Sequence, residues 1–211
     1  VTCAEFALPV LQNSTPMTMT LPGCSPSLSI YDRFTEVRTM TSTEIERGTL
    51  TIRIGLQPGD IGTVVKRHGQ LYAEEYGWSV EFEALVATIA GGLLEHHDPV
   101  RERHWIAEID GQFAGCIFLV RNTDEQAKLR MLLVEPSARG FGLGKRLVEE
   151  CIEFARAAGY RSITLWTNDV LTAARAIYAK FGFTLVHSEP VSQFGVDLVS
   201  ETWELHFTAD E

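Results

Sequence analysis

From residue 50 onward, segments with the apolar pattern of a strand alternate with segments in which apolar residues recur every three or four positions, as in a helix. Short apolar runs typical of strands are predicted at 50–54, 104–109, 112–120, 127–134, 162–166, 183–187 and 202–207. Apolar residues three and four apart predict helices at about 60–76, 80–97, 142–158 and 169–180. The resulting order, βααβββαβαββ, predicts an α/β fold with a mixed central sheet flanked by helices on both faces.

Polar and glycine positions mark several of the predicted boundaries. Asp110-Gly111 lies between two strand-like runs and predicts a tight hairpin turn. Asp60 is a candidate cap for the first helix, and Gly159 is a candidate terminator for the third.

The first 47 residues have a different composition from the rest. They are rich in Ser, Thr and Pro, and they show no sustained period. We therefore expect residues 1–47 to be a disordered or non-native N-terminal extension, with a single folded domain at 48–211. Met40 also opens a plausible shorter reading frame.

Charge and composition exclude several classes of partner. A net charge of −10 argues against a general nucleic-acid binder, because phosphate neutralisation needs clustered Lys and Arg. No apolar run approaches the ~18 residues of a membrane span. The four cysteines show no spacing typical of metal ligands, so we expect no metal site and a cytoplasmic protein.

The main chemical motif is a glycine-rich turn between the strand 127–134 and the following helix. It reads Arg139-Gly140-Phe141-Gly142-Leu143-Gly144-Lys145. Alternate glycines allow a ligand to approach the backbone, and the N–H groups at a helix start favour anions. The turn therefore suits a pyrophosphate, although the spacing alone also fits a helix-initiating turn that binds nothing.

Two better-known phosphate motifs do not fit this turn. A P-loop needs Gly at the position of Arg139 and Ser or Thr at the position of Arg146. The dinucleotide pattern GxGxxG needs Gly where Lys145 or Leu147 stands.

The spacing Arg139-x-x-Gly142-x-Gly144 resembles the (Gln/Arg)-x-x-Gly-x-(Gly/Ala) signature of the GNAT superfamily of N-acetyltransferases. The segment AIYAKFGF at 176–183 resembles the family's sequence after its fourth helix, and the element order agrees from residue 50 onward. The segments at 67–78 and 165–171 further resemble the acetyltransferase half of proteins that fuse a MarR-type winged helix to a GNAT domain.

The resemblance implies acetyl-CoA as co-substrate, bound where the fourth and fifth strands splay apart. Backbone groups of Leu132, Leu133 and Val134 would then face the pantetheine and the acetyl carbonyl, and an N–H near Leu133 would serve the oxyanion. Tyr178 would be the catalytic acid that protonates the CoA sulfur. The pyrophosphate would lie against Arg139, Gly140, Phe141, Gly142, Leu143, Gly144 and Lys145.

Two positions depart from the family pattern. Leu171 stands where many relatives carry Asn, and Trp166 stands where some carry a Glu that acts as general base. The base is therefore unassigned, with Glu74, Glu75, Glu135 or a water chain as candidates. His68 could pack or cap its helix, and Asn168 could bind substrate or cap the next helix.

The resemblance implies transfer of an acetyl group from acetyl-CoA to a primary amine of a small molecule or peptide, by direct attack. The two departures keep a second hypothesis open, in which the chain is a catalytically idle acyl-CoA-binding sensory or regulatory module. We expect no nucleic-acid or membrane partner, and a homodimer stays open.

Overall fold

A computed structural model describes residues 48–95 and 97–208, and the expectation for residues 1–47 lies outside this range. The elements follow the predicted order. The strands are β1 (Leu50–Ile54), β2 (Arg103–Ile109), β3 (Gln112–Arg121), β4 (Gln126–Val134), β5 (Ser162–Asn168), β6 (Thr184–Gln193) and β7 (Val196–His206). The helices are α1 (Asp60–Tyr76), α2 (Val80–Gly92), α3 (Leu143–Ala157) and α4 (Thr172–Lys180).

The seven strands form one mixed sheet in the order β1-β2-β3-β4-β5-β7-β6. Only the β4–β5 pair is parallel within the described residues, as expected where a helix, α3, connects two neighbouring strands. Side chains alternate between the two sheet faces, so that Cys116 and Phe118 pack on the side of α1 and α2. Ile117 packs with α3 on the other side. The predicted fold class is confirmed.

Helix α3 shows how the sequence pattern positions the glycine-rich turn. Its apolar residues recur three and four apart and are buried against the sheet; they include Leu147, Val148, Cys151, Ile152 and Ala155. This amphipathic face fixes the direction of the helix, and its N-terminus therefore lies beside the end of β4.

Two hairpins use the same kind of turn. Asp110 and Gly111 have φ of 49° and 75°, and they form the predicted two-residue turn between β2 and β3. Phe194 and Gly195, with φ of 55° and 79°, turn β6 into β7. The left-handed conformation is unfavourable for Phe194, but its ring centroid lies 4.9 Å from that of Trp78, and ring burial offsets the strain.

The last two strands are longer than predicted. β6 and β7 pair over 184–193 and 196–206, whereas the sequence indicated only 183–187 and 202–207. β6 is an edge strand with nearly every residue exposed, so it carries no alternation of apolar residues that would reveal it.

Helix boundaries differ from the prediction at three places. The α1 N-cap is Gly59 in the left-handed region, and Asp60 instead forms an ion pair with Arg53. α2 ends at Gly92 rather than near residue 97. α4 begins at Thr172, because the Asp169 carboxylate accepts a hydrogen bond from the Val199 N–H at 3.0 Å and stays outside the helix.

Candidate active site

β4 and β5 separate at the centre of the sheet. Their parallel pairing covers residues 126–129 and 162–165 and ends at Leu129–Leu165, although β4 continues to Val134 and β5 to Asn168. Beyond that point, the backbone groups of β4 and β5 no longer form hydrogen bonds with each other. A cleft therefore opens between the carboxyl ends of two neighbouring parallel strands, the edge where α/β sheets commonly bind ligands.

A β-bulge in β4 lies at the start of this cleft. On its β3 side, the register jumps from Arg130 to Leu133, so that Met131 and Leu132 together oppose Ile117. Met131 has a φ of 56°, unusual for a residue with a side chain. Its carbonyl accepts a hydrogen bond from the Cys116 thiol at 3.0 Å, and the bulge turns backbone groups away from β3.

The glycine-rich turn forms an open concave surface at the N-terminus of α3. Gly140 and Gly142 have φ of 85° and 77°, and no heavy atom lies within 4 Å of a Cβ built at either. The N–H of Arg146 donates to the Gly142 carbonyl at 3.0 Å. The three preceding N–H groups have no carbonyl inside the helix and are directed toward this surface. The turn thus fits a phosphate.

Gly144 has a different role from the other two glycines. A Cβ there would lie 3.0 Å from Cδ1 of Ile177 on α4, closer than ordinary van der Waals contact. The third glycine of the motif therefore allows α3 and α4 to pack closely beside the cleft.

A cavity, which we call the outer cavity, connects the turn with the strand separation and has a volume of about 380 Å³. It contains all but two of the site residues expected from the sequence: Leu132, Leu133, Val134, Arg139, Gly140, Gly142, Leu143, Gly144 and Lys145. Phe141 does not line it; its ring is 46% exposed and faces a separate cavity beside Leu50.

Two ion pairs hold this region against α1. The Arg139 guanidinium lies 2.7 Å from Glu75 and donates to the Val134 carbonyl at 3.2 Å. Arg67 binds the Glu135 carboxylate. Two of the candidate bases, Glu75 and Glu135, therefore form ion pairs with arginines. Glu74 is exposed and lines neither this cavity nor the one described next.

A second cavity, the inner cavity, lies between the sheet and the helices α1 and α2. It shares four lining residues with the outer cavity: Tyr72, Leu132, Leu171 and Ala174. Tyr178 also lines the inner cavity, next to this junction, and its side chain is buried. Burial, with smaller contributions from Tyr72 and Cys151, raises the pKa of Tyr178 far above its usual value, so the hydroxyl keeps its proton.

His68 also lines the inner cavity. It packs there, which is one of the two roles expected from the sequence. Its ring stacks on Tyr72 at 5.9 Å between centroids. Burial lowers the pKa of His68 to about 4, so the imidazole is neutral at pH 7. Nδ1 lies 2.8 Å from the Val64 carbonyl and therefore carries the proton, which leaves Nε2 as an acceptor.

The three β5-side positions singled out from the sequence also lie here. The helix-cap role expected for Asn168 is wrong, because the α4 N-cap is Leu171 and no side chain caps the helix. Trp166 donates from Nε1 to the Ser200 hydroxyl at 2.8 Å. Leu171 lies at the junction of the two cavities.

Sequence reasoning missed two cations of the inner cavity, Lys128 and Arg130 on β4. The available signal was their spacing, since residues two apart on a strand share one face of the sheet. The apolar residues around them made the strand look wholly buried.

Comparison with known proteins identifies the family. The model of the acetyltransferase (GNAT) family matches residues 67–183, more than half of the chain. The chain belongs to the GNAT acetyltransferase family. The matched range contains both cavities' strand walls, the glycine-rich turn and Tyr178.

Relatives of this GNAT chain share part of its length. An uncharacterized N-acetyltransferase of Schizosaccharomyces pombe is 29% identical over 121 residues, covering 54% of this chain and 71% of the relative. N-acetylaspartate synthetase of Danio rerio is 34% identical over 89 residues, covering 42% of this chain. The alignment spans only 32% of that synthetase.

Solved structures share the GNAT fold. The structure of yncA from Salmonella typhimurium with its cofactor acetyl-CoA superposes with a TM-score of 0.61 at 17% identity, covering 78% of this chain and 97% of that one. Ribosomal-protein-alanine N-acetyltransferase of Brucella melitensis gives 0.60 at 20% identity, with 74% and 99% covered.

Two other features are absent from the described residues. Within 48–95 and 97–208, no group of three or more His, Cys, Asp or Glu could hold a metal ion. No helix in the same ranges is long and apolar enough to cross a membrane.

Proposed function

We propose that this protein transfers the acetyl group of acetyl-CoA to a primary amine of a small molecule or peptide by direct attack. The observation that carries the proposal is the junction of the two cavities at the separation of β4 and β5. One cavity contains a turn whose geometry fits a phosphate, and the other contains buried polar groups that could receive an acceptor. Two substrates could therefore meet at Leu132 without an intervening protein nucleophile.

The outer cavity fits acetyl-CoA, which supplies an activated acetyl thioester when bound. The free N–H groups at the start of α3, with the Lys145 ammonium, would hold the pyrophosphate. Leu132, Leu133 and Val134, at the separated edge of β4, would offer backbone groups to the pantetheine and the acetyl carbonyl. Arg139 would contribute charge while its bond to Glu75 keeps the turn in place.

The residues around the junction would each serve one requirement of the transfer. Backbone N–H groups of the β4 bulge would stabilise negative charge on the carbonyl oxygen. An amide N–C bond forms as the thioester C–S bond breaks, and the Tyr178 hydroxyl would give its proton to the departing sulfur. The amine loses one proton, which would pass through solvent and restore the Tyr178 hydroxyl, so no net proton is released. Nε2 of neutral His68 would orient the amine as a hydrogen-bond acceptor.

An assay with a panel of primary amines tests this function. Release of free thiol from acetyl-CoA, dependent on an amine and matched by acetylated product, is the expected result. Acetyl-CoA binding measured by calorimetry, without turnover on any amine, would instead support the idle acyl-CoA-binding module.

Four finer expectations stay predictions of ours. They are the closer resemblance to the acetyltransferase half of MarR–GNAT proteins, the cytoplasmic location, a homodimeric assembly, and the division of the chain at residue 47. Analytical ultracentrifugation of the full chain tests the third.

A further inference from the structure

The floor of the inner cavity carries two half-buried cations, Lys128 and Arg130. They flank buried Leu129 on β4, so both side chains lie on the sheet face that α1 and α2 cover. Burial lowers the pKa of Arg130, and burial together with Arg130 lowers the pKa of Lys128. Neither side chain forms an ion pair or hydrogen bond with another residue of the described chain.

Carboxylates of neighbouring strands do not compensate these charges. Glu204 on β7 accepts a hydrogen bond from Gln126 at 3.2 Å and pairs with His206. Glu201 pairs with Arg175 at 2.9 Å. No acidic residue of the described chain lines the inner cavity. Two adjacent, half-buried cations without an acidic partner repel each other, and a bound anion would relieve this repulsion.

Two buried polar groups of the same cavity also lack partners. Asn168 is fully buried, and neither its Oδ1 nor its Nδ2 has a hydrogen-bond partner in the described residues. The Trp78 indole N–H is likewise buried without a partner there. Buried polar groups are nearly always hydrogen-bonded, so these groups are available to bind a polar ligand. Both can donate to a carboxylate, and the Asn168 oxygen can accept from an amine.

The opposite wall of the inner cavity is apolar. Tyr72, Trp78 and Phe82 form it with ring centroids 4.5 to 4.9 Å apart, and α2 adds Leu85, Val86 and Ile89. The inner cavity has a volume of about 100 Å³ and opens into the outer cavity at their four shared residues. The wall therefore suits a small aliphatic group.

From this combination we propose that the acetyl acceptor is a small amino acid with a free carboxylate and an aliphatic side chain, bound through Arg130, Lys128 and Asn168. Arg130 and Leu132 both line the inner cavity on β4, so a carboxylate bound at Arg130 lies near the junction of the two cavities. This proximity suits an α-amino acid, in which one carbon joins the amine and the carboxylate. The inference rests on the proposed function, and its chemistry is the same: the α-amine forms the N–C bond and the CoA thiol is released.

Three acceptors of equal side chain test the carboxylate requirement: L-leucine, leucinamide and 3-methylbutylamine. The amine of leucinamide is less basic than that of leucine, and the amine of 3-methylbutylamine is more basic, so the pair brackets any effect of basicity. We expect kcat/KM for leucine to exceed both by at least about tenfold, the scale of a charge-assisted hydrogen bond. Equal values for the three acceptors would overturn the inference.

Single variants test whether Arg130 and Lys128 cause the preference for the carboxylate. Arg130→Met and Lys128→Met should lower kcat/KM for leucine by about tenfold or more, and should lower the ratio of kcat/KM for leucine to that for 3-methylbutylamine. The melting temperature should stay the same or rise, because each change removes an uncompensated charge. Lys66→Met, at an exposed position of α1, controls for net charge and should change neither value.

The outcomes separate this inference from the proposed function. Acetylation of amines without preference for the carboxylate would overturn the inference of an amino-acid acceptor and leave the proposed function standing. Failure to acetylate any amine defeats the proposed function. Preference for the N-terminus of a leucyl tripeptide over leucine would identify a peptide acceptor and overturn the inference, since the carboxylate of that tripeptide is remote from its amine.

Discussion

The Arg67 guanidinium binds both carboxylate oxygens of Glu135, with Nε 2.6 Å from Oε1 and Nη2 2.7 Å from Oε2. Arg67 belongs to α1, and Glu135 follows directly after β4. The Glu135 N–H also donates to the Ala114 carbonyl at 2.9 Å. This pair therefore joins a helix of one sheet face to the backbone that leads into the glycine-rich turn.

Arg67→Met should lower the free energy of unfolding by about 1–3 kcal/mol, because it leaves the buried Glu135 carboxylate without its cation. Chemical denaturation followed by fluorescence measures the change. Adding Glu135→Gln should recover part of the loss, since the uncompensated charge is then gone. A double variant less stable than the sum of the two single changes would contradict this reading of the pair.

His68 and His104 should make stability fall as the solution is acidified. Burial lowers the pKa of each to about 4 from an ordinary 6.5. Between these values the unfolded chain binds more protons than the folded one, so the free energy of unfolding decreases as pH falls from 6.5 toward 4. For His68 alone the loss is about 2 kcal/mol by about pH 5.

Comparison of wild type with His68→Gln in urea, at about pH 7 and about pH 5, isolates this contribution. The variant should show a shallower decline. His187→Gln, at an exposed site, should decline as wild type does. Identical slopes for all three proteins would show that folding does not lower the pKa of His68.

Lys145→Ala should weaken acetyl-CoA binding by about tenfold and reduce its dependence on salt, because it removes one charge that we place beside the pyrophosphate. Calorimetric titration measures both, with Lys66→Ala as the matched control. Lys145 is exposed, so the fold should be unaffected. Gly142→Val is a less specific test, since a φ of 77° strains valine regardless of any ligand.

Tyr178→Phe should lower kcat by roughly 10–1000-fold while acetyl-CoA affinity changes much less. The change removes only the hydroxyl, and the ring keeps its contact with Phe183 at 5.7 Å between centroids. Single-turnover kinetics establishes whether chemistry limits the rate. If the variant turns over like wild type under that condition, Tyr178 is a packing residue and another group protonates the sulfur.

The order of elements was predictable because local patterns and the tertiary structure agree along most of the chain. The Asp110-Gly111 turn is an example, since Asp and Gly tolerate positive φ and hairpin twist requires it. The glycine-rich turn was found for the same reason. Its three glycines, however, have two different roles. Only the packing of Gly144 against Ile177 shows the second role, which is close contact between α3 and α4.

The inner cavity could not be predicted from local pattern. The bulge at Met131 depends on register with β3, and the lack of partners for Lys128, Arg130 and Asn168 depends on which elements lie opposite. Asn168 illustrates the difficulty: its position before a helix favours a cap, whereas its side chain faces the cavity. Contacts distant in sequence decide such cases.

The β6–β7 hairpin supports the aromatic wall, and it lies outside the range that the family model matches. Phe194, at the β6–β7 turn, packs on Trp78, and its carbonyl accepts a hydrogen bond from the Ser79 N–H at 2.8 Å. The family match ends at residue 183, ahead of this hairpin. A change in the hairpin would therefore alter the acceptor wall that we propose without touching the turn before α3, so this segment is where a new acceptor preference would least disturb the binding of acetyl-CoA.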